Sequence, residues 1–234
     1  MREKQKWGWT ALWLMLAALS ASAKNDGDCP EFPVPDGMQL QWVAPDMTFN
    51  GVPMQIREFN IEKSVDQVLS YYKQQWPARG KLPGAVEYPL GDWQVIAAPM
   101  ERCFYTVQAR ATGMHSSTGI LAVTHAPSGP VAPRGNGFPM LSDSKVLNDI
   151  NSVDGPKTAR TLMLTNQFSP QANASFYERV LSQDGWQTVS SLPVPMPKGD
   201  GYMLVMQRGV SRVDMSISRK DQDTTVLVNI LDKP

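Results

Sequence analysis

Two cysteines and two histidines are all that the 234-residue chain contains, too few for a zinc site built from those residue types alone. An excess of one charge sign is also missing. Lys+Arg and Asp+Glu number 22 each, for a formal net charge of zero, so no basic surplus points to nucleic acid. There is no Gly-x-Ser-x-Gly elbow, no Walker-type phosphate loop and no dinucleotide fingerprint. The longest apolar run, Trp7 to Leu19, is 13 residues, short of the roughly 20 that a spanning helix needs. Turn residues, by contrast, are plentiful, with 17 Gly and 19 Pro. With 42% hydrophobic and 19% charged residues, the chain has the composition of a folded protein and not of a disordered one.

The apolar run follows Arg2, Lys4 and Lys6 and is followed by Ala21-Ser22-Ala23. A positive start, a short apolar centre and small residues at a cleavage position predict a signal peptide over residues 1–23, removed on export. The competing reading is an uncleaved anchor. It is disfavoured because the run stops at Ser20, with Lys24 and Asp26 soon after. Cleavage would remove three bases and one acid, leaving 19 against 21 and a net charge of −2. No stretch of the mature chain is then apolar and long enough to span a bilayer. The short, Trp-rich leader reads as bacterial, which places the protein in the periplasm.

Export makes the cysteines legible. An even count in an oxidising compartment predicts a Cys29–Cys103 disulfide, pinning an N-terminal tail that would otherwise fray. A closed loop of about 75 residues corresponds to roughly 4 kcal/mol in the chain-entropy account. The alternative is two separate thiols, with Cys103 packed as a small hydrophobe.

The chain also resembles itself. Phe32-Pro33 and Phe138-Pro139 each open a segment in which short strand patterns flank a turn dipeptide, Asn50-Gly51 or Asp154-Gly155. Both dipeptides suit hairpins because their residues tolerate positive φ. Alternation of apolar and polar residues then predicts strands over 54–59 and 159–164. A helix follows in each half, with Ser64 and Ser169 as N-caps and Pro170 at the first helical position. Tyr71-Tyr72 and Phe176-Tyr177 lie seven and eight residues beyond those serines. Three further strands per half are predicted, over 93–97, 104–111 and 119–124, and over 202–207, 212–219 and 224–231. The expected fold is therefore α+β: two tandem ββαβββ-like repeats, each an antiparallel sheet covered by one helix, over residues 24–126 and 138–234. Residues 127–137, rich in Pro and Gly, read as a semi-extended linker between them.

Chemistry-bearing patterns are few. His115 reads as part of a solvated hairpin turn and His125 as the end of the next strand. A cysteine nucleophile needs a free thiolate and a basic partner, which a Cys29–Cys103 bond would preclude. Scattered acids form no recognisable glycosidase pair. The methionines are dispersed, so core filling accounts for them better than a copper site. The Asn173-Ala174-Ser175 sequon falls inside the second helix. No catalytic, cofactor or metal residues are assigned, and the only site residues named are Cys29 and Cys103. The expected role is a non-catalytic periplasmic protein that binds an envelope protein or complex as an accessory or assembly factor. The alternative is a small-ligand binder or hydrolase with its site between the two halves.

Overall fold

The structure, a computed structural model, describes residues 29–127, 129–196 and 199–232. The expected signal peptide lies outside the described residues. Twelve strands and two helices follow in chain order: β1 (Gln39–Phe49), β2 (Val52–Ile61), α1 (Val65–Gln75), β3 (Val86–Leu90), β4 (Trp93–Met100), β5 (Cys103–Ala111), β6 (Ser117–His125), β7 (Lys145–Asp154), β8 (Lys157–Asn166), α2 (Pro170–Gln183), β9 (Gln187–Pro195), β10 (Asp200–Arg208), β11 (Ser211–Lys220) and β12 (Asp223–Asp232). All twelve strands belong to one antiparallel sheet, in the order β3-β4-β5-β6-β2-β1-β7-β8-β12-β11-β10-β9. Among the described residues no helix is long and apolar enough to cross a membrane.

This corrects the expectation of two tandem ββαβββ-like repeats, each with its own helix-covered sheet. The chain forms a single continuous sheet, and its helices span only 11 and 14 residues. Two causes are visible. β1 and β7, each the outer strand of its hairpin, pair with one another and merge what would have been two edges, because unpaired strand edges leave backbone donors and acceptors unsatisfied. Two strands also escaped the sequence reading. β3 is exposed at all five positions and contains Pro89, so no burial alternation marks it. β9 carries Pro193 and Pro195, which argue for a loop in a sequence but are tolerated at a sheet edge.

Local chemistry sets the helix starts. The Ser64 hydroxyl accepts from the Gln67 amide while the Gln67 side chain accepts from the Ser64 amide, a reciprocal capping box. Ser169 accepts from the Ala172 amide, with Pro170 at the first turn. A hydroxyl at the start of a distant strand then ties down the residue before each cap. Ser117 donates to the Lys63 carbonyl and Thr224 to the Phe168 carbonyl. α1 packs on β4 and β5, and α2 on β9, β10 and β11. Tyr72 and Tyr177, both fully buried, head the two cores, each against a phenylalanine from a Phe-Pro pair: Phe32 at 6.0 Å and Phe138 at 5.6 Å. Asn173 of the sequon is completely buried and shares two hydrogen bonds with Asn166.

The join between β1 and β7 is short. Only Met47, Thr48 and Phe49 pair with Ser152, Asn151 and Ile150. Asn50, at φ 53° in the Asn50-Gly51 turn, extends it. Its amide donates to the Asp149 carbonyl at 2.7 Å, and its side chain accepts from the Asp149 amide at 2.9 Å. The Asp149 carboxylate is buried and accepts from the Gly135 amide at 2.8 Å, from Arg160 at 3.0 and 2.8 Å, and from Asn151 at 3.3 Å. One side chain thus holds the 127–137 segment, β7 and β8 together beside the β1–β2 turn. Gly51 is needed there twice over, for its φ of 79° and because a Cβ would strike Val131 of the crossing segment.

Burial pushes the Asp149 carboxyl up, but hydrogen bonds from Arg160, Gly135 and Asn151 and the charge of Arg160 outweigh it and hold the group below its ordinary 3.8. A depressed folded value means stability that is fully present above the ordinary carboxylate range and is lost as pH falls through the lower folded value. Asp149→Asn is therefore expected to cost about 2–3 kcal/mol at neutral pH, because it leaves Arg160 unpaired in a mostly buried place. The gap from wild type should close progressively below about pH 4. Urea unfolding of both proteins from pH 7 to pH 2 measures this.

Candidate functional site: an uncovered sheet face and a Cys29, Cys103 and His125 cluster

Residues paired across neighbouring strands point to the same face, and successive residues alternate. On the helix side, β2 contributes Phe59 and Ile61, β5 Tyr105 and Val107, and β6 Leu121 and Val123, all buried. Beyond the junction, β8 contributes Leu162 and Leu164 and β12 Val226 and Val228. These two sets share one face. Thr48 pairs with Pro53, which alternates in phase with Phe59, and also with Asn151, which pairs with Arg160, in phase with Leu162. Both helices therefore cover the same side of the sheet, and among the described residues no helix covers the other.

The uncovered face carries large apolar side chains. Val86, Tyr88, Leu90 and Phe104 lie toward one edge, Phe49 at the centre, and Leu192 and Met203 toward the other edge, all exposed. Ile56, Ile120, Ile150 and Leu227 fill between them, partly buried. Charge sits at intervals: Arg110 lies over the Trp93 ring at 4.8 Å, and Arg212 makes a two-pronged contact with Asp214 at 2.7–2.9 Å. Both sheet edges carry prolines, Pro89 in β3 and Pro193 and Pro195 in β9, which block the addition of a further strand.

On the helix side, Cys29 and Cys103 are joined in a disulfide, with Cα atoms 5.8 Å apart. The bond anchors an N-terminal arm against α1 and β5. The Tyr105 hydroxyl donates to the Pro30 carbonyl. Phe32 meets Tyr105, Trp76 and Tyr72 edge-on at 5.0–6.0 Å. Burial, with Glu101 nearby, pushes the Tyr105 phenol up to about 12, so it stays a donor at any ordinary pH.

His125 joins this group. The β5–β6 hairpin is centred on Met114, which sets Cys103 opposite His125, and His125 Nδ1 lies 3.2 Å from Cys29 Sγ. The donor atoms of Cys29, Cys103 and His125 all fall within 4.8 Å of one another. With both sulfurs in a disulfide they hold no thiolate for a metal. His115 is exposed in the turn after β5, far from this cluster in sequence and register. The sequence reading placed His125 at a strand end but did not bring it to the cysteines. The usable signal was the symmetry of the hairpin, since Cys103 and His125 are equidistant from Met114.

The disulfide closes 74 residues of chain. Replacing both cysteines by serine is expected to lower stability by about 3–4 kcal/mol in the chain-entropy account. Urea unfolding of wild type and the double variant under non-reducing conditions tests it, the expected result being a lower midpoint. Compared with protein-family models, with curated proteins and with solved structures, the chain matches none.

Proposed function

We propose that the chain is an exported, periplasmic, non-catalytic accessory or assembly factor that binds a protein of the cell envelope through the uncovered face of its sheet. The observation that carries this reading is the exposure of Val86, Tyr88, Leu90, Phe104, Leu192 and Met203 on the face that no helix of the described residues packs against. Exposed apolar patches of this kind, here one toward each edge of the face, mark interaction sites. Twelve strands spaced ~4.8 Å apart and about 30 Å long make a face on the order of 1,500 Å². That exceeds the roughly 800 Å² per partner of a standard protein–protein interface. A small ligand would use only a fraction of it, and small-molecule sites are concave, so the open face favours a folded protein partner with an apolar patch of its own. The disulfide is in keeping with an oxidising compartment, and the leader pattern at residues 1–23 supports export.

The test is envelope cross-linking with a C-terminally tagged chain, mass-spectrometric identification of the partner, and titration of that partner against face variants. Phe104→Glu and Tyr88→Lys place charge in the apolar band and are expected to weaken binding about thirtyfold, equivalent to some 2 kcal/mol. Both positions are exposed, so unfolding midpoints should hold. Met114→Lys, in the exposed turn after β5, is the control and is expected to bind like wild type. Unchanged binding by both face variants would overturn the reading.

A further inference from the structure

We propose that the Cys29–Cys103 disulfide is a reacting group as well as a brace: a thiol–disulfide exchange site in which His125 moves the proton. Three features of its placement carry this. The first is asymmetry of access. Cys103 is 8% exposed, whereas Cys29 is half-buried and lines a cleft of about 300 Å³ together with Trp42, Gln55 and Arg57. An incoming thiol therefore meets Cys29 first.

The second is the imidazole. His125 lies on the wall of that cleft, its Nδ1 is 3.2 Å from Cys29 Sγ, and it reaches Cys103 Sγ within 4.8 Å. A cation or proton donor beside a cysteine sulfur favours the thiolate and with it the dithiol state. A disulfide whose reduced form is stabilised is the more oxidising one.

The third is that the reduced form finds its partners already in place. The Thr124 carbonyl oxygen is 3.9 Å from Cys29 Sγ. It receives no hydrogen bond from a disulfide sulfur, which carries no proton, but can accept one from a thiol. A purely structural disulfide needs none of these groups around it.

The substrate class is a small thiol of the glutathione type, or a cysteine thiol presented on an extended peptide. A thiolate of the substrate forms a bond to Cys29 Sγ. The Cys29–Cys103 bond breaks, and its electron pair leaves on Cys103 Sγ, which takes a proton from His125. A second substrate thiolate attacks the substrate sulfur of the mixed disulfide, and Cys29 departs as a thiolate beside His125. Two thiols are oxidised to one disulfide, the protein disulfide is reduced to a dithiol, and the protons released by the thiols end on the protein. The reverse sequence restores the disulfide.

The experiment uses the folded full chain, without denaturant, in glutathione buffers of stepped thiol-to-disulfide ratio. Samples are quenched by alkylation and counted by mass, with near-UV circular dichroism as the monitor of fold. Wild type is expected to reduce in the folded state. His125→Ala is expected to exchange about tenfold more slowly and to need a more reducing buffer at half-reduction. His125→Asn, which retains a polar side chain but carries no transferable proton, should match the alanine variant in rate. Rates and half-reduction points within twofold of wild type for both variants would overturn the proposal. So would a wild-type disulfide that reduces only as the near-UV signal is lost, since exchange would then require unfolding.

Discussion

The continuity of the sheet depends on the short β1–β7 join and the Asn50–Asp149 hydrogen bonds that extend it. Every other ladder between neighbouring strands runs over five or more residue pairs, but the β1–β7 join has three, which alone leaves little to oppose separation. Asp149 compensates by receiving bonds from two strands and from the segment that crosses between the halves, while its backbone pairs with Asn50. A buried carboxylate is tolerable only when its lone pairs are filled and its charge is matched. Both conditions are met here by Gly135, Asn151 and Arg160, which belong to residues 127–137, β7 and β8. The charge therefore fixes the crossing segment against the β7–β8 hairpin, while the Asn50 bonds to the Asp149 backbone carry the link to the first half.

That arrangement has a consequence for contact with other molecules. An antiparallel join between equivalent outer strands keeps both helices on one side. The chain consequently has a thick, helix-covered side with aromatic cores around Tyr72 and Tyr177, and a second side on which large apolar side chains such as Tyr88 and Phe104 are exposed. The disulfide and His125 lie on the opposite, helix-covered side, so the proposed binding through the bare face and the proposed exchange at Cys29 would occupy separate surfaces.

Much of the local structure was legible in the residues. Ser64 and Ser169 cap helices because a serine oxygen can reach a first-turn amide, and that requirement is written in a few consecutive positions. Asn50-Gly51 turns because both residues accept positive φ. The buried alternation at 104–111 and 212–219 announced strands. β3 and β9 were not legible because both edge strands are largely exposed and carry prolines, so neither periodicity nor composition distinguishes them from loops. The merging of the halves was illegible for a different reason. It rests on the three-residue pairing of β1 with β7 and on hydrogen bonds between Asn50 and Asp149, a residue 99 positions away, and no local pattern encodes such a pairing.

By itself the sequence determined the chain's punctuation: where helices begin, where hairpins turn and which two sulfurs could meet. These follow from short-range sterics, capping and composition. Only the tertiary structure decided that two sets of strands form one sheet, that both helices lie on one face of it, and that His125 stands beside Cys29. Those outcomes depend on which strand edges satisfy one another and on the register of a hairpin. Both are set by hydrogen bonds and burial between residues far apart in the chain.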